Sequence, residues 1–156
     1  MDHKQYMQEA VTAALKGMQN NEGGPFGCVI VKDGKIIGKG NNKVTSTNDP
    51  TAHAEVTAIR DACKNLGSFQ LEGCTIYTSC EPCPMCLGAI YWARPEKVYY
   101  GSTKTDAAHI GFDDDFIYEE LKLPYADRSI PFEQLAPEVA ITAFQKWAVK
   151  EDRTEY

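Results

Sequence analysis

The sequence of 156 residues has no apolar run long enough to cross a bilayer. Its first residues contain no apolar core of the signal-peptide kind. It also lacks a cluster of Lys and Arg, and its net charge is −6, so a broad phosphate-binding footprint is not expected unless a basic patch assembles in three dimensions. No internal repeat, low-complexity tract or linker divides it. We therefore expect one cytoplasmic domain over residues 1–156, with no nucleic-acid partner and no membrane partner.

The six cysteines are expected to be reduced, because disulfides are rare in proteins without an export signal. Four of them are expected to behave mainly as small apolar residues: Cys28, Cys63, Cys74 and Cys80. The role of Cys80 stays open because it lies close to a cysteine motif. The remaining two form that motif, a C-x-x-C pair.

Two short stretches carry the chemistry of this chain. Residues 51–56 contain H-A-E, and residues 79–86 contain P-C-P-M-C. His53, Cys83 and Cys86 offer one imidazole and two thiolates, which makes a three-ligand zinc site with about one zinc per chain. Catalytic zinc keeps its fourth position for water or substrate, whereas structural zinc usually has four protein ligands. Three ligands therefore indicate catalysis.

The local sequence places these ligands at the starts of helices. Asp49-Pro50 is typical of an N-cap followed by proline at the first helical position, which puts His53 in the first turn. Glu55 lies two residues further on and projects in a different direction, so it is suited to reach the zinc-bound water rather than the zinc. Cys83 and Cys86 would share one face of a second helix start.

Two bland alternatives remain for the cysteine motif. A C-x-x-C pair alone is also typical of a redox site. Cys80 would be the obvious fourth ligand of a closed structural zinc site. Either would make the chain a zinc-stabilised or redox interaction module rather than an enzyme.

Hydrophobic periodicity predicts strands that alternate with helices, and hence a mixed sheet with helices on both faces. The predicted strands are 26–31, 36–41, 74–78, 98–100 and 129–135. The predicted helices are 3–20, 52–64, 83–92, 105–109 and 137–150.

The combination of H-x-E with P-C-x-x-C resembles the cytidine deaminase superfamily of zinc-dependent deaminases. Within it, G-G-P-F-G, N-D-P-T-A-H-A-E and S-C-E-P-C-P-M-C-L-G-A-I-Y-W-A-R are most similar to the bacterial guanine deaminases, and G-F-D-D with the terminal Tyr extends this likeness to the C-terminus. The resemblance implies an α/β fold, a three-layer α/β/α sandwich with a five-stranded mixed sheet.

The resemblance also implies a function. His53, Cys83 and Cys86 would bind zinc, Glu55 would be the catalytic proton shuttle, and the reaction would be hydrolysis of free guanine, a small purine base, to xanthine and ammonia. N-D-P-T-A-H-A-E is similar to tRNA adenosine deaminases as well, so deamination of tRNA is the alternative activity.

The resemblance further implies which residues contact the base. Guanine presents N1–H and an amino group side by side, and a carboxylate accepts from both. Asp114 of G-F-D-D is the expected acceptor, although Asp113 to Asp115 also fit a solvated helix cap, and the register among the three stays open. Asn42 matches a base-contacting Asn of the family, or it is a turn residue.

Aromatic residues are expected to enclose the base. Phe26 and Trp92 would stack on it or wall it, or else pack in the core or an interface. Residues 124–156 are expected to cross a homodimer interface, an exchange of C-terminal segments (domain swapping) that brings Tyr156 over the partner's active site. The alternative is an ordinary C-terminal helix with a frayed tail.

Overall fold

A computed structural model of the chain describes residues 2–112 and 114–156. The chain forms two compact units, residues 1–115 and 116–156. The elements of the first unit are α1 (His3–Gln19), β1 (Gly27–Lys32), β2 (Lys35–Asn41), α2 (Val44–Thr47), α3 (Ala54–Leu66), β3 (Cys74–Cys80), α4 (Pro84–Ala93), β4 (Lys97–Ser102) and α5 (Lys104–His109).

The sheet is mixed, as predicted, with strand order β2-β1-β3-β4. Strand β1 pairs antiparallel with β2 and β3, and β3 pairs parallel with β4. The β1–β2 hairpin turns at Asp33 and Gly34, whose φ angles of 49° and 75° suit the Asp-Gly pair of a tight turn. Because β1 begins where β2 and β3 end, residues that flank these strands meet at one edge of the sheet.

The prediction of a fifth strand at residues 129–135 is wrong. The sheet has four strands within residues 2–112 and 114–156, and 129–135 has no strand pairing. Two local features explain this. Pro131 has no N–H to donate to a ladder, and the backbone N–H of Ser129 donates instead to Oε2 of Glu120 at 2.8 Å.

Helices cover both faces of the sheet. Helix α1 packs on the face that carries Val29, Val31 and Tyr77. The opposite face carries the alternating residues Cys28 and Ile30 and packs against α3 and α4. This strict alternation along β1 gives the sheet two buried faces. The three-layer α/β/α arrangement follows.

Helix α3 lies very close to strand β2. A Cβ atom added at Gly40 would lie 2.3 Å from the backbone oxygen of Ala54, so only glycine permits this approach. Ala54 is the first residue of α3. The contact therefore fixes the start of that helix against the sheet edge.

Residues 116–156 form the second unit. Its elements are most of α6 (Asp115–Lys122), a 3₁₀ turn (Tyr125–Asp127) and α7 (Pro137–Ala148). None of these three elements has a buried residue. Across the described ranges, no helix is both long and apolar enough to span a membrane.

Candidate active site

His53 is the N-cap of α3, one residue before the helix begins, and not a first-turn residue as predicted. Its backbone is extended, with φ −71° and ψ 159°. Asp49 does not cap this helix, because its Oδ1 accepts from the backbone N–H and the hydroxyl of Thr51 in a separate turn. Helix α3 ends at Gly67, whose φ of 63° at the C-cap is the left-handed conformation that glycine adopts readily.

The two motif cysteines lie at the start of α4. Cys83 is the N-cap, Pro84 follows at the first helical positions, and Cys86 is buried in the first turn. Proline is tolerated there because the first N–H groups of a helix have no intrahelical acceptor. The cysteine motif and the histidine motif thus use the same device, a ligand at a helix N-cap.

The three predicted ligands come together. Nδ1 of His53 lies 3.5 Å from Sγ of Cys83 and 3.5 Å from Sγ of Cys86, and all three ligand atoms lie within 4.8 Å of one another. Tetrahedral zinc with its usual bond lengths separates a nitrogen and a sulfur ligand by about 3.5 Å. The cluster therefore has the donor types and the spacing that zinc requires.

The cluster also has suitable acidity. Hydrogen bonds with Cys86 and His53 lower the pKa of Cys83 to about 4, so its thiolate is present at neutral pH. The same contact with Cys83 raises the pKa of His53. The neighbouring Cys83 and burial raise the pKa of Cys86. The cluster thus contains one thiolate, Cys83, beside two groups whose pKa values are raised. The negative charge of this thiolate favours binding of a cation.

Cys80 is separate from this cluster. Among the described residues, the group that can hold a metal contains His53, Cys83 and Cys86 only. The thiol of Cys80 instead donates to the backbone oxygen of Thr103 at 3.6 Å. Burial raises the pKa of Cys80 most, and the charges of Glu55 and Asp114 add to this effect, which brings the pKa to about 11. A neutral, buried thiol is the small apolar residue that was predicted.

Glu55 lies beside the cluster without belonging to it. Its side chain is 6% exposed. Oε1 accepts from the hydroxyl of Thr78 at 2.9 Å, and Oε2 accepts from Sγ of Cys86 at 3.3 Å. Burial raises its pKa. A buried carboxylate next to a ligand set has the position and the basicity that a proton acceptor needs.

Asn42 and Phe26 flank the strands at the same sheet edge. The backbone N–H of Asn42 donates to the oxygen of Phe26 at 3.1 Å, and Asn42 is buried. Its Oδ1 accepts from the N–H groups of Gly24 and Val44, at 3.3 and 3.2 Å. This side chain therefore fixes the loops on both sides of it, which is the turn role that was weighed for it.

Phe112 is a neighbour of this edge that the sequence did not single out. Its ring meets Phe26 edge to face, with the ring centroids 4.9 Å apart. A Cβ atom on Gly24 would lie 2.9 Å from the Phe112 ring, so the glycine makes room for it. The G-G-P-F-G stretch thus supports an aromatic corner.

Asp114 is half-buried, and its charge acts on His53, one of the three candidate metal ligands. It adds to the raised pKa of His53, after the larger effects of Cys83 and Glu55. Asp115 forms an ion pair with Lys104 at 3.3 Å and is exposed. Asp113 lies outside the described residues. Of the two described aspartates, Asp114 is the one coupled to the ligand cluster.

Trp92 and Tyr156 lie on exposed surface. Trp92 is 64% exposed near the end of α4, six residues or about 9 Å along the helix from Cys86. Leu87 and Tyr91 of the same helix are also exposed. Tyr156 belongs to the 116–156 unit and is 69% exposed.

Comparison with known proteins identifies the family. Residues 1–102 match the family described as "Cytidine and deoxycytidylate deaminase zinc-binding region". The chain belongs to this deaminase family. The expected resemblance is confirmed, because the chain is 57% identical over all 156 residues to the guanine deaminase of Bacillus subtilis (strain 168), with both chains fully covered.

Two further comparisons place the chain within the deaminase family. The X-ray structure of a guanine deaminase from Bacillus subtilis superposes with a TM-score of 0.97 at 57% identity, covering 100% of this chain and 99% of that one. The tRNA-specific adenosine deaminase of Bacillus subtilis (strain 168) is 44% identical over 97 residues, which is 62% of this chain and 60% of that protein.

Proposed function

We propose that this protein is a zinc-dependent guanine deaminase, which hydrolyses free guanine to xanthine and ammonia. The observation that carries this proposal is the full-length similarity to a guanine deaminase, 57% identical over all 156 residues. The similarity to a tRNA-specific adenosine deaminase is lower and covers 97 residues. The net charge of −6 also disfavours a tRNA substrate.

The site favours an enzyme over a zinc-stabilised module. A closed structural site needs a fourth ligand, and the thiol of Cys80 faces the oxygen of Thr103 instead. The buried carboxylate of Glu55 lies beside the three ligands without belonging to them. A catalytic site requires such an acid–base group, whereas a structural zinc site does not. We propose one zinc per chain, held by His53, Cys83 and Cys86. Zinc bound there supplies a Lewis acid that makes a bound water acidic near neutral pH.

Glu55 moves the protons in this proposal. Its carboxylate takes a proton from the attacking water and delivers it to a ring nitrogen of guanine. The water oxygen forms a bond to C2, and the C2–N bond to the amino group then breaks. Glu55 then takes the proton of the new C2 hydroxyl and passes it to the departing amino nitrogen, so the hydroxyl becomes a carbonyl and guanine and water become xanthine and ammonia. Because burial raises the pKa of Glu55 toward neutral pH, its carboxylate can accept a proton and release it again in the same cycle.

Three residues orient the base. We propose that the carboxylate of Asp114 accepts from N1–H and the 2-amino group of guanine. Adenine offers an acceptor at N1 and would be repelled. With Oδ1 of Asn42 engaged by two backbone N–H groups, its Nδ2 is the group that donates to the purine. Phe26, backed by Phe112, walls the ring.

Replacing Asp114 by Ala is expected to lower kcat/KM for guanine by about 10- to 100-fold, because two buried donors of the base lose a charged acceptor. Zinc content and thermal unfolding should stay unchanged. Asp115→Ala is the matched control, since Asp115 is exposed and pairs with Lys104, and it should retain activity. Unchanged kcat/KM in Asp114→Ala, or loss in the control alone, would assign base recognition elsewhere in this segment.

Ammonia release from a substrate panel tests the proposed function. The purified zinc-loaded protein is incubated with guanine, adenine, cytosine, their nucleosides and tRNA. Release from guanine alone, or far faster from guanine, is the expected result. Release from tRNA with a steep salt dependence would favour the adenosine deaminase instead. No release of ammonia from any substrate would contradict the enzyme and favour the zinc-stabilised or redox interaction module.

We further propose a homodimer in which the C-terminal segments are exchanged. Helix α7 has no buried residue, although it carries large apolar side chains. Val139, Ile141 and Phe144 are 64%, 45% and 73% exposed. Helix α4 likewise exposes Leu87, Tyr91 and Trp92. Groups of exposed apolar side chains mark interaction sites, and in this proposal a second copy of the chain is the complementary partner. Trp92 then belongs to the subunit interface, and Tyr156 covers the partner's base.

Deleting residues 153–156 is expected to lower turnover of guanine by about 10-fold or more, because the site loses the ring that closes it against water. The helix α7 stays intact in this truncation, so sedimentation should still give a dimer. Wild-type turnover in the truncated protein would remove the covering role from Tyr156.

A mixed dimer decides whether the tail crosses to the partner. A Glu55→Gln chain carries an intact tail, and the truncated chain carries an intact Glu55. After joint refolding, exchange predicts activity above that of either parent, because the intact tail covers the intact site of its partner. No gain over the parents would keep each tail on its own chain.

A further inference from the structure

Thr78 is a polar residue in an apolar face of the sheet. Along β3, Cys74, Ile76 and Thr78 alternate toward the face covered by α3 and α4, and the first two belong to the core cluster on that side. The cross-strand partner of Thr78 is Cys28, also in that cluster. Thr78 is only 1% exposed. A hydroxyl at such a position costs stability unless it is hydrogen-bonded, and a valine would fill nearly the same shape without that requirement.

The partner of the Thr78 hydroxyl is the carboxylate of Glu55. The hydroxyl donates to Oε1 at 2.9 Å, across 23 residues of sequence. The other oxygen, Oε2, faces Sγ of Cys86 at 3.3 Å. Rotation about the last torsion of a glutamate side chain is broad, so the side chain alone does not fix the plane of its carboxylate. The hydrogen bond that Thr78 donates to Oε1 fixes it here.

We propose that Thr78 is the positioning residue of the deamination reaction, whose hydroxyl holds Oε1 of Glu55 so that Oε2 is directed at the metal-ligand cluster. The inference rests on the proposed function of Glu55 as proton shuttle. Thr78 comes from the sheet and Glu55 from helix α3, so the hydrogen bond locks the catalytic carboxylate to the rigid centre of the fold. Small errors in the placement of a reacting group are costly in rate.

Two conservative substitutions separate positioning from packing. Thr78→Val keeps the shape of the side chain and removes the hydroxyl, whereas Thr78→Ser keeps the hydroxyl and removes a methyl group. Positioning predicts that kcat for guanine falls by about 10- to 100-fold in Thr78→Val, the range for a hydrogen bond to a charged group, with KM unchanged. Thr78→Ser should retain kcat within about threefold of the wild type by the same argument. A packing role alone predicts the opposite order, with Ser the more damaged variant.

Zinc content and unfolding temperature are measured for both variants, so that kcat refers to folded, loaded chains. If Thr78→Val does not fold, Thr78→Ala removes the same hydroxyl and takes its place. Equal kcat in the wild type and the hydroxyl-free variant would overturn the proposal, as would a Ser variant as slow as the Val variant.

A crystal structure of the hydroxyl-free variant keeps this inference distinct from the proposed function. The expected result is a Glu55 carboxylate rotated away from its wild-type plane, or spread over several orientations. If the wild type fails to release ammonia from guanine, the proposed function fails, and the structures alone still decide the positioning role. An unchanged carboxylate in the variant would then contradict it.

Discussion

Replacing Glu55 by Gln is expected to lower kcat for guanine by about 10²- to 10⁴-fold, the contribution of a positioned acid–base group. The amide keeps the size of the side chain and can still accept from the Thr78 hydroxyl, but it cannot take a proton from water. Zinc should remain at one per chain, because Glu55 lies outside the ligand group. Parallel measurement of zinc by atomic absorption and of xanthine formation checks both expectations.

The exposed carboxylate of Glu96 supplies the control for this substitution. Glu96→Gln changes the same chemical group far from the ligand set and should leave kcat unchanged. Loss of zinc in Glu55→Gln would make Glu55 a ligand and would remove its role as a proton shuttle. Retained turnover in Glu55→Gln would also show that Glu55 is not the proton shuttle.

Replacing Cys83 by Ser is expected to remove both zinc and activity. A serine hydroxyl is not ionised near neutral pH, whereas the thiol of Cys83, with a pKa near 4, is already a thiolate. Even outer-shell partners of zinc ligands change metal affinity by 10- to 100-fold, so loss of a direct ligand should exceed about 100-fold. Zinc titration with a chromophoric competitor measures this change.

Cys63→Ser is the matched control for the cysteine substitution. Cys63 is a free cysteine on α3, half-buried, and no member of the metal-ligand group. Its variant should bind zinc with wild-type affinity and keep full turnover. Undiminished zinc binding in Cys83→Ser would contradict the three-ligand site and return Cys80 to consideration as a ligand.

The grouping of the three candidate metal ligands was predictable because each lies in a local pattern. A helix start is written in consecutive residues, and Cys83 and Cys86 fall together at the N-terminal end of α4. The error at His53 was one of boundary. The Asp49-Pro50 pair that suggested a helix start closes a turn through Thr51, and α3 begins only at Ala54.

Long-range contacts were not predictable in the same way. The hydroxyl of Thr78 meets Glu55 only because the fold brings the C-terminal part of β3 near the start of α3, across 23 residues of sequence. On its own, Thr78 is an ordinary strand residue. Phe112 is likewise placed against Phe26 by the fold, since nothing in the residues around it indicates that partner. The strand predicted at residues 129–135 does not form. Pro131 has no N–H to donate to a neighbouring strand, and the N–H of Ser129 donates to the side chain of Glu120 instead.

Hydrolysis of guanine in H₂¹⁸O tests the central claim most directly. The zinc-loaded protein is incubated with guanine in labelled water, and the product is analysed by mass spectrometry. The account predicts xanthine that carries one ¹⁸O, at C2, formed together with one equivalent of ammonia and formed about 10²- to 10⁴-fold more slowly with Glu55→Gln. Guanine recovered unchanged, or xanthine without the label, would contradict it.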